Sequence, residues 1–262
     1  MISNHYNFTV NNKKIRIREI SFTEYKTLNK KLLSDDIKDI SLVFNEVIDQ
    51  CVYGAKLNCL EKLYCIILIR NLTLGTDFNF MYDSKTVNMN MNILLEKFNF
   101  NLPDIQIDHD SVSYWFNLPS NFYNISVDDF IVDSLIKIQI NGKEILCDEF
   151  SFDEKRLLLG KLNLPIFETF KKIEEQLSSL DITILSEIKI KIYDGSFLFF
   201  IKRCFQDDMN GLYQFEYNCI KKLNLGAIDM DRYTYAELKI FLQHLLKEYN
   251  DKQAESNQMK VE

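Results

Sequence analysis

The sequence predicts an α+β protein built in tandem from two diverged copies of one unit: a β-hairpin, three helices, two strands and a closing helix. Three observations carry this. Tight turns at Asn11-Asn12 and Asn141-Gly142 sit between alternating apolar residues, the pattern of a two-residue hairpin. Each hairpin runs into a capping box, Ser21 with Glu24 and Ser151 with Glu154. Residues 10–32 laid on 140–162 give ten identities over 23 positions, among them Asn11 with Asn141, Ile15 with Ile145, Ser21 with Ser151 and Leu28 with Leu158. Biased composition inflates such a count, but it does not bring turn and box into one register.

The first unit, residues 1–100, opens with Tyr6, Phe8 and Val10 alternating before the turn and Ile15 and Ile17 after it. A period of two turns one side of each strand toward a core. In the helix that follows, Ser21 can accept from the amide three residues on while Glu24 reaches back to the Ser21 amide. Apolar spacing predicts two more helices, at 36–51 and 58–72; a box from Asn58 to Glu61 opens the second and Gly75 closes it. Phe78, Phe80 and Tyr82 then alternate with polar residues, as do Val87, Met89 and Met91, which predicts two strands before a short helix at 93–98.

Residues 101–133 break this rhythm with Pro103, Pro119 and several Asp and Asn, and read as a connector whose one strand candidate is the aromatic-rich 112–118. The second unit, 134–249, restarts with strands at 135–140 and 143–146. The echo of the first unit then continues in order. Residues 64–70 (YCIILIR) resemble 197–203 (FLFFIKR), 77–83 (DFNFMYD) resemble 212–218 (LYQFEYN), and 87–90 (VNMN) resemble 228–231 (IDMD). Taken alone, 211–222 is compatible with a helix, yet Tyr213, Phe215 and Tyr217 alternate, and the repeat assigns them to a strand. The last helix is predicted at 234–249, and 250–262, with Met259 and Val261 as its large apolar residues, is expected to be a flexible tail.

Composition narrows the function classes. A net charge of -7 argues against nucleic acid, whose backbone requires a clustered positive face. Lys13, Lys14, Arg16 and Arg18 form the densest basic stretch and read as a solvated strand face ended by Glu19. Residues 1–8 lack the apolar run of a signal peptide, and the longest apolar stretch, 63–69, falls far short of the ~20 residues of a membrane span. The chain is therefore expected in the cytosol, with no membrane partner. Cys51, Cys59, Cys65, Cys147, Cys204 and Cys219 lack CxxC spacing and lie mostly in apolar periodic segments, which predicts buried reduced thiols.

Chemistry-bearing patterns are sparse. His5, His109 and His244 are scattered, and the 7 glycines stand apart from one another, so neither a metal site nor a phosphate-cradling loop is predicted, and no cofactor is expected. Asp35-Asp36, Asp128-Asp129, Asp207-Asp208 and the Asp229/Asp231 pair read as caps and loops; the last lacks the Gly and closing Glu of a calcium loop. Arg70 and Arg203 each end an apolar helix at equivalent places, where a cation satisfies helix carbonyls; the alternative is a binding role.

With the lysine-bearing hairpin, the acid-led helix and the Ile69-Arg70-Asn71-Leu72-Thr73-Leu74-Gly75 helix ending in view, the first unit resembles the baseplate hub assembly family of T-even-type tailed bacteriophages. In that family a lysine-rich hairpin, an acid-led helix and a helix ending of the Leu-Arg-x-x-Ser-x-Gly type precede a short strand; here Ile69 replaces Leu and Thr73 replaces Ser. Some relatives follow with a cysteine-bearing strand, where this chain has Tyr82-Asp83 and, in the second unit, only Cys219, so their metal knuckle is not carried over. The resemblance covers residues 6–100 and, through the duplication, 135–245. It implies a protein that builds the central hub of a contractile-tail baseplate, as a component or as an assembly factor that leaves. Its partners would be other baseplate or tail hub proteins, met in the host cytoplasm, with homo-oligomerisation left open. The Ile-, Asn- and Lys-rich composition is compatible with a phage genome. The alternative is a phage enzyme or replication accessory whose site gathers dispersed carboxylates around Arg70 or Arg203.

A protein that acts by contact needs a surface. Tyr114, Trp115, Phe116, Phe122 and Tyr123 concentrate aromatic area in the connector and include the single Trp of the chain. Interfaces draw much of their energy from a few Trp, Tyr and Arg side chains. Two readings stand: these residues form a partner interface, or they close the core between the two units.

Overall fold

Asn tolerates the left-handed backbone that a tight hairpin turn demands at both of its positions, and Asn11 and Asn12 adopt it at φ 48° and 62°. The structure, a computed structural model, describes residues 4–82, 85–101, 104–120, 127–147, 149–161, 171–172, 175, 182–184, 188–190 and 195–258. The first turn joins β1 (His5–Val10) to β2 (Lys13–Arg18), which turn Val10, Ile15 and Ile17 inward. Helix α1 (Phe22–Lys31) begins with the predicted capping box in full. Its Glu24 also receives the Arg18 guanidinium through two bonds of 2.8 Å, which ties helix to hairpin. Helix α2 (Ile37–Cys51), capped by Asp36, runs directly into β3 (Val52–Tyr53), the third strand of a β1-β2-β3 sheet.

Helix α3 (Cys59–Leu74) is the centre of the molecule. Leu60, Leu63, Cys65, Ile66, Ile67 and Ile69 are all buried, as expected of a helix apolar on every side. Its capping residue Glu61 is fully buried, accepting from Asn11 Nδ2 at 2.8 Å and from Lys13 Nζ at 2.6 Å, so one carboxylate pins the hairpin turn to the start of the central helix. The two predicted strands, β4 (Asp77–Tyr82) and β5 (Lys85–Asn90), pair antiparallel with each other. The short helix α4 (Met91–Leu95) starts earlier than its pattern indicated, because the Asn90 side chain caps it by accepting from the Asn92 amide.

The connector contains more structure than the sequence reading assigned. It holds β6 (Ile105–His109), β7 (Val112–Phe116) and α5 (Val127–Ser134). Asp110, at φ 55°, sits in the β6–β7 turn. This hairpin extends the next one, β8 (Leu135–Ile140) and β9 (Lys143–Leu146), into a four-stranded antiparallel sheet of order β6-β7-β8-β9. Asn141 and Gly142 turn the second hairpin at φ 50° and 78°, and the Ser151–Glu154 box opens α6 (Phe152–Lys161). Hairpin, box and helix therefore recur in both halves.

The recurrence does not extend to the strands. After a small β10 (Ile182–Ile184) and β11 (Ile188–Ile190) pair come helices α7 (Ser196–Phe205), α8 (Met209–Leu223), α9 (Ala227–Met230) and α10 (Tyr235–Gln258). The strand expected at Tyr213, Phe215 and Tyr217 is helical, and so is most of 228–231, the counterpart of β5. The reason is local. Asp208 caps α8 through the Asn210 and Gly211 amides, and Leu212 and Cys219, seven residues apart, are the buried pair, which is helical spacing. Helix α10 continues past Asn250, where a tail was expected to begin, through Gln258; residues 259–262 lie outside the described residues. The last helices pack on the first ones. Phe22 N–H donates to Tyr233 O at 2.8 Å, Tyr25 Oη to Phe205 O at 2.7 Å, and the buried Lys202 Nζ to Asp35 and Ser34 O, each at 2.7 Å.

Candidate functional site

Register decides which side chains of the four-stranded sheet face out. Ile107, Tyr114, Ile138 and Ile145 lie across from one another, and the first three are buried. Because a strand alternates, the next row, Gln106, Trp115, Lys137 and Leu146, points the other way. Tyr114 and Phe116 are thus core residues, each 0% exposed, and Trp115 is the half-buried one between them. Of the described members of the aromatic run, two face the core and one faces out. Phe122 and Tyr123 lie outside the described residues.

The outward row is ordered by its own chemistry. Lys137 Nζ stands 4.1 Å from the centroid of the Trp115 ring and donates to Glu144 Oε1 at 3.1 Å. A cation over the ring face holds the indole against the sheet, and Leu146, 67% exposed, continues the row at the β9 edge. Pairing skips a residue between Trp115 and Phe116, which sets Lys137 opposite Trp115 and Leu135 opposite Phe116. The Asn141-Gly142 turn already fixes the register of β8 on β9, so Lys137 and Leu146 were within reach of sequence reasoning; the link to Trp115 was not, because β7 was left unpaired.

The two arginines have different fates. Arg70 is 4% exposed, and its guanidinium donates to Gly75 O, to Asp77 O at 2.9 Å and to Cys204 O at 3.4 Å, with its Cζ 5.4 Å from the centroid of the Phe78 ring. Burial pushes its pKa down, an effect opposed by the nearby Cys204, Tyr25 and Asp77. It clamps the end of α3 to the start of β4 and to α7. Arg203 is on the surface, and the neighbouring Lys202, which the sequence did not single out, makes the buried contact from α7.

The acidic pairs fill local posts. Asp36 and Asp208 cap helices, Asp35 pairs with Lys202, and Asp128 and Asp129 lie in the first turn of α5. Among the described residues no three His, Cys, Asp or Glu side chains gather as a metal cage. All six cysteines are buried and none forms a disulfide among the described residues, and burial pushes the Cys51, Cys59 and Cys65 thiols up to about 12. On the outer face of the first sheet, Asn7, Thr9, Lys14, Arg16, Tyr53 and Gly54 line an open hollow of about 340 Å³. Lys14 and Arg16 are solvated there as expected, while Lys13 and Arg18 are held by Glu61 and Glu24. No helix among the described residues is long and apolar enough to cross a membrane.

Charged groups committed to caps and clamps thus stand beside a half-buried tryptophan on the outward face of the four-stranded sheet. The chain belongs to the family of T4 bacteriophage base plate proteins, whose model matches residues 3–191. No curated protein and no solved structure matches it.

Proposed function

We propose that the protein serves in building the central hub of a phage baseplate, as a component or as an assembly factor, and that it acts through protein contacts rather than catalysis. The family match over residues 3–191 carries this reading. The hub is its finer part and rests on the first hairpin, the acid-led helix and the 69–75 helix ending. The outward row of Gln106, Trp115, Lys137 and Leu146 is the proposed contact face, and other baseplate or tail hub proteins are its proposed partners, met in the host cytoplasm and retained in the virion if the protein is a component. The row's central Trp115 is of the residue type that interface centres favour.

A replication accessory or enzyme would need carboxylates converging on Arg70 or Arg203. Arg70 is engaged by three backbone carbonyls and Arg203 is exposed, so neither supports that reading. Silencing the gene during infection separates the two. The expected result is normal phage DNA synthesis with tails that lack complete baseplates. Arrested DNA synthesis, or tails of normal form, would overturn the proposal.

A further inference from the structure

Strand β2 carries four cations, Lys13, Lys14, Arg16 and Arg18, and the fold treats them in two ways. The outer two are neutralised from within the chain. Lys13 Nζ donates to Glu61 at 2.6 Å, and the Arg18 guanidinium grips Glu24. Lys14 and Arg16 are exposed and have no carboxylate or hydrogen-bond partner among the described residues. The chain has 38 acidic residues against 31 basic ones, yet it sets no carboxylate beside this pair. Lysines often blunt the open edge of a sheet. That explanation does not apply here, because β2 is the middle strand of the β1-β2-β3 sheet.

Register sets the pair at the open hollow on the outer face of that sheet. Arg16 lies between Asn7 of β1 and Tyr53 of β3, and Lys14 lies beside Thr9. Residues two apart on a strand share a face with about 7 Å between them, so both cations border the hollow from one strand. The Tyr53 ring forms a wall that is itself held: it stands 5.7 Å from the His5 ring, and its Oη donates to Gln50 O at 2.6 Å. At Gly54, with φ 125°, a Cβ would come within 2.9 Å of Lys14 O. Glycine therefore lets the chain leave the sheet tightly against β2 with no side chain at that end of the hollow. Since Glu61 and Glu24 anchor the cations on either side, Lys14 and Arg16 are presented from a fixed strand, which lowers the ordering cost of binding.

We propose that this hollow is a docking site for an acidic, extended segment of a protein partner, two of whose carboxylates, spaced two residues apart, pair with Lys14 and Arg16. An extended segment repeats its side chains on one face at the same interval of about 7 Å. Arg16 can take its carboxylate through two parallel N–H donors, and Lys14 acts as a point charge. The hollow, about 340 Å³, is at the low end of the roughly 300–1,000 Å³ of ligand sites, the size for a few side chains. Nucleic acid fits less well, since it binds through many phosphate contacts and two uncompensated cations on a chain of net charge -7 supply few. The choice of a protein ligand rests on the reading of this chain as one that acts through protein contacts. The site lies on a different sheet from the Trp115 row, so each can fail without the other.

Fluorescence anisotropy of a labelled peptide alternating Glu and Val, titrated with the full chain, is the test. Binding is expected in the high-micromolar range and should weaken as salt screens the exposed charges. In Lys14→Gln/Arg16→Gln the dissociation constant should rise at least about fivefold, the loss of two exposed charge pairs. Lys14→Arg/Arg16→Lys, which keeps both charges, should bind as the parent does, and so should Lys222→Gln/Lys239→Gln, the same charge change at exposed positions elsewhere. In an NMR titration with the same peptide, amide shifts should centre on Asn7, Thr9, Lys14, Arg16, Tyr53 and Gly54. No binding at about 500 µM chain, equal binding of a peptide with Gln in place of Glu, indifference to Lys14→Gln/Arg16→Gln, tighter binding of an oligothymidylate of matched charge, or shifts centred on the Trp115 row would overturn the proposal.

Discussion

Replacing Arg70 with Met removes a buried guanidinium and leaves the carbonyls of Gly75, Asp77 and Cys204 without their donor. Hydrogen bonds from a charged donor contribute about 1.5–3 kcal/mol each, and a buried carbonyl left unpaired costs about 1–3 kcal/mol. Two of the three bonds are well formed, the third is long at 3.4 Å, and relief from burying a charge offsets part of the loss. The expected net destabilisation is about 3 kcal/mol. Arg70→Lys keeps the charge but not the fork and should lose roughly half of that. Arg203→Ala, at the surface, should stay within about 0.5 kcal/mol of the parent. Urea unfolding followed by circular dichroism measures all three. If Arg70→Met unfolds with the parent, or Arg70→Lys is indistinguishable from it, the clamp is wrong and Arg70 is free for a binding role.

Phe116→Ala should cost the ~3–5 kcal/mol of an emptied core aromatic, whereas Trp115→Ala, which uncovers only the outward row, should cost about 1 kcal/mol; equal losses in thermal melts would place Trp115 inside. A thiol-reactive dye at pH 8 should find almost no accessible thiol in the native protein and all six after urea, because all six are buried away from reagent. Several fast-reacting native thiols would contradict the packing. Burial works to raise the Glu24 carboxyl, but the Arg18 fork and the Ser21 bonds outweigh it and hold the group below its usual value. Its contribution is complete above the unfolded carboxylate pKa of about 4.3 and is lost as pH falls through the folded value, so Glu24→Gln should flatten the acid limb of the stability profile. Parallel acid limbs for the two proteins would count against it.

Local chemistry made much of the fold legible. Turns that require Asn or Gly, side chains that reach three residues along a helix, and period-two alternation are decided within a few neighbours, and the hairpins, capping boxes and β4–β5 pair follow from them. Tyr213, Phe215 and Tyr217 show where such reasoning fails. Three alternating aromatics satisfy a strand pattern, but Leu212 and Cys219 with the Asp208 cap satisfy a helical one, and packing against α10 and α1 selects the helix. Likeness of composition to 77–83, which contains the true strand Asp77–Tyr82, pointed the wrong way. In the connector, β6 is five residues long and lies on an edge, too short for periodicity to outweigh its Asp and Asn neighbours. The outward face could be named only in part, since Trp115 acquires Lys137 through pairing between strands some twenty residues apart in the chain.

The most direct test of a baseplate role exercised through the outer sheet face is recovery of partners from phage-infected cells. Affinity-tagged protein would be expressed during infection, cross-linked briefly, and its companions identified by mass spectrometry, for the parent and for Trp115→Ala. Baseplate or tail hub proteins should be enriched with the parent and fall at least about tenfold with the variant, the weakening expected when an interface loses a central tryptophan. Enrichment of replication proteins in their place, or tail proteins recovered equally with both chains, would contradict the account.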